Sequence, residues 1–156
     1  SVFVSDLAPA LICLDAQVEY YDRKGVHKTA LGSIYTGDGT KPCNLPLEAI
    51  ITKINIPLNR RKTFFRKLRP RKSIDFTNLT VAMSLTNNGK LKISLSGVAS
   101  KPLTFSFDKP SDPGTLIKNI SKKCHIVENL YYSRLYRKNM LNVYLKEGFE
   151  ELNISE

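Results

Sequence analysis

The sequence has no tryptophan, and its 156 residues include only two histidines and three cysteines. Cys13, Cys43 and Cys124 are odd in number and far apart, which argues against a disulfide framework and against a zinc or iron–sulfur site. We interpret them as reduced thiols in a cytoplasmic protein. No apolar run approaches the roughly 18 residues that a membrane-spanning helix needs, so we expect no membrane segment.

Recognisable catalytic motifs are also missing. His27 and His125 are isolated, neither a His-Glu-x-x-His nor a Gly-x-Ser-x-Gly segment occurs, and the acidic residues form no evident acid–base pair. His27 falls in a predicted strand, where a solvated or core histidine is the ordinary interpretation. The sequence therefore predicts no catalytic residue and no metal ligand.

The chain begins at Ser1, without a methionine and without the basic region of a signal peptide. We therefore expect a fragment or a processed product. Hydrophobic residues make up 42% of the sequence and charged residues 24%, the composition of a folded domain rather than a disordered chain. This length allows one domain or two small lobes.

Positive charge is concentrated in one segment. The net charge is +10, and residues 60–72 include eight basic side chains. Phe64, Phe65 and Leu68 interleave with these charges, which predicts an ordered basic corner rather than a solvated linker. Such a corner attracts nucleic acid, an acidic membrane, an acidic partner or a phosphorylated cofactor. The lack of a recognition-helix pattern argues against nucleic acid, and the glycine loop at 36–40 favours a phosphorylated cofactor.

Hydrophobic periodicity predicts an α+β protein with short helices and antiparallel strands. The predicted elements are a helix at 5–14 capped by Ser5 or Asp6, strands at 17–21, 26–31 and 50–56, a hairpin within 81–95, and helices at 114–123 and 133–152. The last helix has two apolar stripes, which predicts that it packs between two elements.

The hairpin can be predicted down to its register. Pairing Leu85 with Leu91, Met83 with Ile93 and Val81 with Leu95 puts six apolar side chains on one face. That register leaves a three-residue loop at 87–89, with Gly89 in the left-handed conformation.

Four segments closely resemble the later part of the FAD-carrying subunit or domain of molybdenum hydroxylases, the xanthine dehydrogenase and CO dehydrogenase group. They are SDLAPAL at 5–11, YTGDG at 35–39, LEAIITKINIP at 47–57 and FRKLRPRKSIDF at 65–76. Residues 97–99 and 136–138 fit the same domain. The segments occur in the family's order over nearly the whole chain.

This resemblance implies a fold of two parts. Residues 1–60 would be the end of a PCMH-type FAD-binding domain, its second subdomain with a mixed or antiparallel sheet and short helices. Residues 61–156 would be a CO dehydrogenase flavoprotein C-terminal-like domain, an antiparallel sheet packed on helices. The family's glycine-rich diphosphate loop lies before the Ser5-Asp6 motif, so the site would be shared with an N-terminal half.

The resemblance also implies a function, electron transfer between 2Fe–2S clusters, FAD and NAD or another acceptor. The 2Fe–2S clusters and the molybdopterin would belong to partner subunits, and the isolated chain would be inactive as an oxidoreductase. The alternative is a basic protein- or nucleic-acid-interaction module without a cofactor.

Three residues match family positions that contact FAD: Asp6, Ile51 and Lys67. The resemblance implies that Asp6 accepts a hydrogen bond from the cofactor, that Ile51 packs on the flavin ring and that Lys67 stabilises negative charge. The structural alternatives are a helix cap for Asp6, a core strand residue for Ile51 and a surface charge for Lys67.

Overall fold

Two antiparallel sheets organise the chain, and helices pack against both. The computed structural model describes residues 2–71, 75–110 and 112–154. Its elements are α1 (Leu7–Cys13), β1 (Gln17–Asp22), β2 (Gly25–Ala30), a short 3-10 turn (Leu31–Ile34), β3 (Ile50–Asn55), β4 (Arg61–Leu68), β5 (Leu79–Thr86), β6 (Lys90–Ser96), β7 (Leu103–Asp108), α2 (Pro113–Lys123) and α3 (Arg134–Glu151). The strand orders are β2-β1-β3 and β4-β5-β6-β7, so the predicted mixture of helices and antiparallel sheet is confirmed.

The first sheet starts from the predicted hairpin of β1 and β2. Asp22 pairs with Gly25 across a two-residue turn, and Gly25 has φ +118, which residues with a side chain rarely adopt. Val18 of β1 packs into a small core with α1 and the 3-10 turn. β3 forms an edge of this sheet, and all six of its side chains are exposed.

The larger core lies between the second sheet and the two long helices. The predicted hairpin register is confirmed at all three pairs, Leu85–Leu91, Met83–Ile93 and Val81–Leu95, and Gly89 has φ +83. Most of these side chains are buried against the predicted stripe of α3, which consists of Leu141, Leu145, Phe149 and Leu152. α3 contacts β4, β5 and α2, as its two apolar stripes predict.

The opposite face of the second sheet is small and polar, and α1 packs on it. The hydroxyl of Ser84 donates to the carbonyl of Cys13 at 2.7 Å, and that of Ser96 donates to the carbonyl of Ser5 at 2.7 Å. Small side chains let the helix approach closely, and these hydrogen bonds satisfy the polar atoms buried there. α1 therefore lies between the two sheets and joins the first to the second.

The basic segment is ordered, as predicted, but residues 61–68 form strand β4 rather than a corner, and residues 72–74 lie outside the described part of the chain. Phe64 and Leu68 are buried as expected, whereas Phe65 is exposed. β4 is the edge of its sheet, where lysine and arginine are common because they discourage pairing with other chains. Because charged residues occur on both faces of β4, its sequence lacks the alternation of apolar and polar residues that predicts a strand. β7, which sequence periodicity also fails to predict, completes the other edge.

The proposed boundary between residues 60 and 61 stays a prediction. Among the described residues, no helix is both long enough and apolar enough to cross a membrane.

Candidate functional site

Two of the three predicted site residues, Asp6 and Lys67, form an ion pair although 61 positions separate them. Side chains of β4 alternate between two faces, and Phe64 and Leu68 point into the core beneath α3. Lys67 therefore points to the opposite face, where α1 packs. Its ammonium donates to Oδ2 of Asp6, the residue that precedes α1. Both side chains are partly exposed, Lys67 at 27% and Asp6 at 38%.

Asp6 occupies the N-cap position of α1, but its side chain does not cap the helix. The hydroxyl of Ser5 accepts the amide hydrogen of Ala8 at 3.0 Å, and the Asp6 side chain makes no capping bond. Oδ1 of Asp6 is buried, and no donor in the described part of the chain reaches it. A buried acceptor without a partner costs about 1–3 kcal/mol. The hydrogen bond that this carboxylate oxygen needs is therefore not supplied by any described residue.

Ile51 lies on a separate surface. It pairs with Tyr20 on β1, and its side chain is 50% exposed, so the alternative of a core strand residue is wrong. Together with Leu45 and Leu47 of the preceding loop it lines an open groove of about 810 Å³. Neither Asp6 nor Lys67 is among the described residues lining that groove. The structure therefore brings together two of the three predicted residues, but not Ile51.

Gly37 of the glycine loop at 36–40 does not pack against the basic segment at 60–72. A Cβ added to Gly37 would be 3.3 Å from the Ser100 hydroxyl and 3.4 Å from Cδ of Lys101, both between β6 and β7. Gly37 also has φ +86, so glycine fits this position on both grounds. Among the described residues, the side chains nearest to a Cβ at Gly37 therefore belong to Ser100 and Lys101 and not to β4.

Acidic residues of the chain itself pair with at least three of the eight basic side chains at 60–72. Arg61, whose side chain is 4% exposed, pairs with Asp15 at 3.0 Å. Arg66 lies between Glu147 at 3.3 Å and Glu151 at 3.4 Å on α3. These pairs, with the one formed by Lys67, leave less positive charge for phosphates. They therefore count against nucleic-acid binding, in which affinity follows the number of phosphates neutralised.

A buried arginine, which sequence reasoning misses, fixes the turns beside Lys67. The Arg137 guanidinium donates to the carbonyls of Asn78 and Gly97 at 2.6 Å each, and to that of Val127. The amide of Asn78 in turn donates to the carbonyl of Leu68 at 2.7 Å, one residue beyond Lys67. The only sequence signal was that residues 97–99 and 136–138 both fit the family resemblance. A single arginine in a helix gives no sign that it is buried.

Comparison with curated proteins finds a relative that is an FAD-binding subunit. The aldehyde oxidoreductase FAD-binding subunit PaoB of Escherichia coli is 34% identical over 103 residues, which cover 63% of this chain and 32% of that subunit. No protein-family model matches the sequence.

Solved structures share the fold over almost the whole chain. CO dehydrogenase from Oligotropha carboxidovorans matches with a TM-score of 0.79 and 20% identity, covering 94% of this chain and 56% of that chain. Quinoline 2-oxidoreductase from Pseudomonas putida matches with a TM-score of 0.78 and 16% identity, covering 95% of this chain and 55% of that chain. The chain thus spans about a third of the curated relative and little more than half of each of these structures.

Proposed function

We propose that this chain supplies one wall of an FAD site in an electron-transfer component. The comparisons confirm its resemblance to the FAD-binding subunits of molybdenum hydroxylases. The observation that carries the proposal is the Asp6–Lys67 pair, with a buried carboxylate oxygen that lacks a donor. Of the similar proteins, PaoB is the FAD-binding subunit of an aldehyde oxidoreductase, and the quinoline 2-oxidoreductase is also an oxidoreductase. Bound FAD would supply the capacity to accept electrons and pass them on.

Each residue has a defined role in this proposal. Oδ1 of Asp6 would accept a hydrogen bond from a hydroxyl or ring N–H of the cofactor, which would satisfy the atom. Lys67 would hold positive charge where the flavin becomes negative on reduction, while its bond to Asp6 fixes its position. Ile51 would offer an exposed aliphatic surface for a flat ring. An extended dinucleotide can contact separate surfaces, so these residues need not touch one another.

The remaining expectations from the sequence complete the proposal. The rest of the FAD site, including the diphosphate cradle, would come from an N-terminal half of the FAD-binding domain. A 2Fe–2S subunit and a molybdopterin subunit would be partners in a cytoplasmic complex, with NAD or another molecule as the final acceptor. The first sheet would belong to the second subdomain of a PCMH-type domain and the second sheet to the flavoprotein C-terminal domain.

Titration of the chain with FAD, followed residue by residue by NMR in ¹⁵N-labelled protein, tests the proposal. Weak binding is expected, because three contacts on open surfaces provide little affinity. The amide shifts should cluster at 5–8, 50–52 and 66–68. Asp6→Asn and Lys67→Ala should each reduce the shifts, whereas Lys62→Ala, on the other face of β4, should not.

Two results would count against the proposal. Shifts clustered near Lys92 and Lys101, which line a different cleft, would place the ligand elsewhere. The absence of any shift at millimolar FAD would show that these residues do not form a wall of the site.

A further inference from the structure

Arg137 is a buried cation that pairs with no carboxylate of the described residues. It is 3% exposed, and its guanidinium donates to the backbone carbonyls of Asn78, Gly97 and Val127. Burying a charge is costly, and apolar side chains often replace buried ionic groups with little loss of stability. The cost therefore favours a role in fixing a particular geometry over a role in general stability.

The first of the two turns that Arg137 holds lies beside Lys67. Nη2 of Arg137 donates to the carbonyl of Asn78 at 2.6 Å, and the amide of Asn78 donates to the carbonyl of Leu68 at 2.7 Å. Leu68 is the last residue of β4 and follows Lys67 directly. The end of β4 is thus fixed to the guanidinium through a single intervening residue.

The second turn lies beside Asp6. The same Nη2 donates to the carbonyl of Gly97 at 2.6 Å, and the amide of Gly97 donates to the carbonyl of Phe3 at 2.8 Å. The Ser96 hydroxyl donates to the carbonyl of Ser5 at 2.7 Å and accepts its amide hydrogen at 3.2 Å. Since Ser5 directly precedes Asp6, the segment that carries this carboxylate is fixed to the same guanidinium.

One nitrogen atom therefore joins the two segments that carry the ion pair. The turns are in contact, because a Cβ at Gly97 would lie 2.2 Å from the carbonyl oxygen of Asn78. Charge-assisted hydrogen bonds from one donor group hold both carbonyls at this point, where their partial negative charges would otherwise repel each other. Without the guanidinium the two turns would separate, and Asp6 and Lys67 would separate with them.

We propose that Arg137 is a positioning residue for the Asp6–Lys67 pair: from α3 it sets the distance between the segments that bring the carboxylate and the ammonium together. An ion pair between distant parts of a chain depends on such support, because a small displacement breaks its hydrogen bond. The relevance of Arg137 to FAD rests on the proposed function, whereas its control of the pair rests on the hydrogen bonds alone.

NMR of the Lys67 ammonium in ¹⁵N-labelled protein tests this control without FAD. An ammonium in an ion pair exchanges its hydrogens with water more slowly than a free one, so its ¹⁵Nζ signal is observable at low temperature and mildly acidic pH. The signal should be present in the wild type and absent from Asp6→Ala. It should also be lost from Arg137→Met, which keeps an unbranched apolar stem but removes every donor. Arg137→Gln, which keeps one donor group and buries no charge, should weaken the signal and takes the place of Arg137→Met if that variant does not fold.

Leu141→Ala is the matched control for a general loss of stability. Leu141 lies one turn after Arg137 on α3, is fully buried and has no hydrogen-bonding side chain. This variant should lower the midpoint of urea denaturation because it leaves a cavity, and yet keep the Lys67 signal. A merely structural role for Arg137 would instead make the signal follow stability in both variants.

Titration with FAD extends the test to the candidate site. At a fixed FAD concentration below saturation, the amide shifts at 5–8 and 66–68 should fall about tenfold in Arg137→Met, the loss expected when a supporting residue of a ligand site is removed. The same shifts should be unchanged in Leu141→Ala.

A Lys67 signal that survives in folded Arg137→Met, or that is lost equally from Leu141→Ala, would overturn the proposal. So would the absence of the signal from the wild type, or FAD shifts of wild-type size in Arg137→Met. A signal that depends on Arg137 in a chain without any FAD shifts would sink the proposed function and keep the positioning of the pair. FAD shifts together with a signal that is independent of Arg137 would do the reverse.

Discussion

At the scale of single residues, Lys67 is the side chain on which the flavin proposal depends most. In the complete FAD-loaded subunit, Lys67→Ala should lower the flavin midpoint potential by tens of millivolts, because it removes positive charge that stabilises the reduced ring. Two unit charges about 4 Å apart interact by about 4 kcal/mol at an effective dielectric of 20, and solvent at this partly exposed lysine reduces that figure. Spectroelectrochemical titration measures the shift.

Lys62→Ala is the control for that measurement. Lys62 belongs to the same strand but pairs with Leu85 and faces away from Asp6, so its loss should leave the potential unchanged. Equal shifts from both variants would show that the potential depends only on the overall charge of the segment and not on the position of Lys67. An unchanged potential in Lys67→Ala would show that Lys67 is not part of the FAD site.

The three cysteines should react at very different rates. Burial raises the pKa of Cys13 and of Cys124 to about 12, so at pH 8 almost none of either thiol is the reactive thiolate. Cys43 and Cys124 are both partly buried, but the Cys124 thiol donates to the carbonyl of Ile120 at 3.3 Å. A thiol reagent should therefore modify one cysteine quickly in the folded chain and all three in urea, and Cys43→Ser should abolish the fast phase. A fast phase that survives in this variant would contradict the assignment.

Sequence reasoning reached Asp6, Ile51 and Lys67 through segments that resemble a family, and not through chemistry visible in the residues. It could not predict that Ser5 rather than Asp6 caps α1, because both side chains can accept the same amide. Nor could it predict the ion pair of Asp6 with Lys67, which depends on how α1 lies across the sheet.

At the scale of the elements, the turn between β6 and β7 depends on a glycine. Gly97 has φ +81, and a Cβ there would be 2.2 Å from the carbonyl oxygen of Asn78, which is backbone and cannot move aside. Gly97→Ala should therefore lower the free energy of unfolding by about 3 kcal/mol or more, measured by urea denaturation.

Gly89→Ala separates the two causes of this loss. Gly89 has nearly the same φ, +83, but an added Cβ would meet only the Lys109 side chain at 3.4 Å and backbone at 3.9 Å. Its cost should be that of the left-handed conformation alone, about 1–2 kcal/mol. Equal losses in the two variants would show that the close approach to Asn78 adds nothing.

The β5–β6 hairpin was predictable to the residue, whereas β4 was not. In the hairpin, alternation and a glycine-ended loop both specify one register, since a slip of one residue would expose every apolar side chain. In β4, Lys62 and Arg66 stand on the core-facing side at a sheet edge, where long charged side chains reach solvent or α3. Alternation is lost there because the edge leaves room for charge on both faces.

At the scale of the whole molecule, Asp15 helps to hold the two sheets together. It lies between α1 and β1, the central strand of the first sheet. Its carboxylate pairs with Arg61 on β4 and Lys92 on β6, which are both strands of the second sheet. Partial burial alone would raise the pKa of Asp15, but the hydrogen bonds from Lys92 and Arg61 outweigh it, so the pKa lies below its usual value. Its loss would also leave the buried Arg61 charge without a carboxylate partner.

The last prediction follows from the sign of that shift. A carboxyl with a lowered pKa stabilises the fold above its unfolded pKa of about 3.9, and this stabilisation is lost as the pH falls through the lower folded pKa. Asp15→Asn should therefore lower the free energy of unfolding at pH 7 by about 1–2 kcal/mol, an amount limited by the partial exposure of Asp15. Urea denaturation should show this deficit shrinking below about pH 4, where the wild-type carboxyl becomes protonated too. Asp108→Asn, at the exposed end of β7, is the control and should differ little from the wild type at either pH. A deficit in Asp15→Asn that persists unchanged at pH 3 would mean that packing of the side chain, rather than its charge, joins the two sheets at this point.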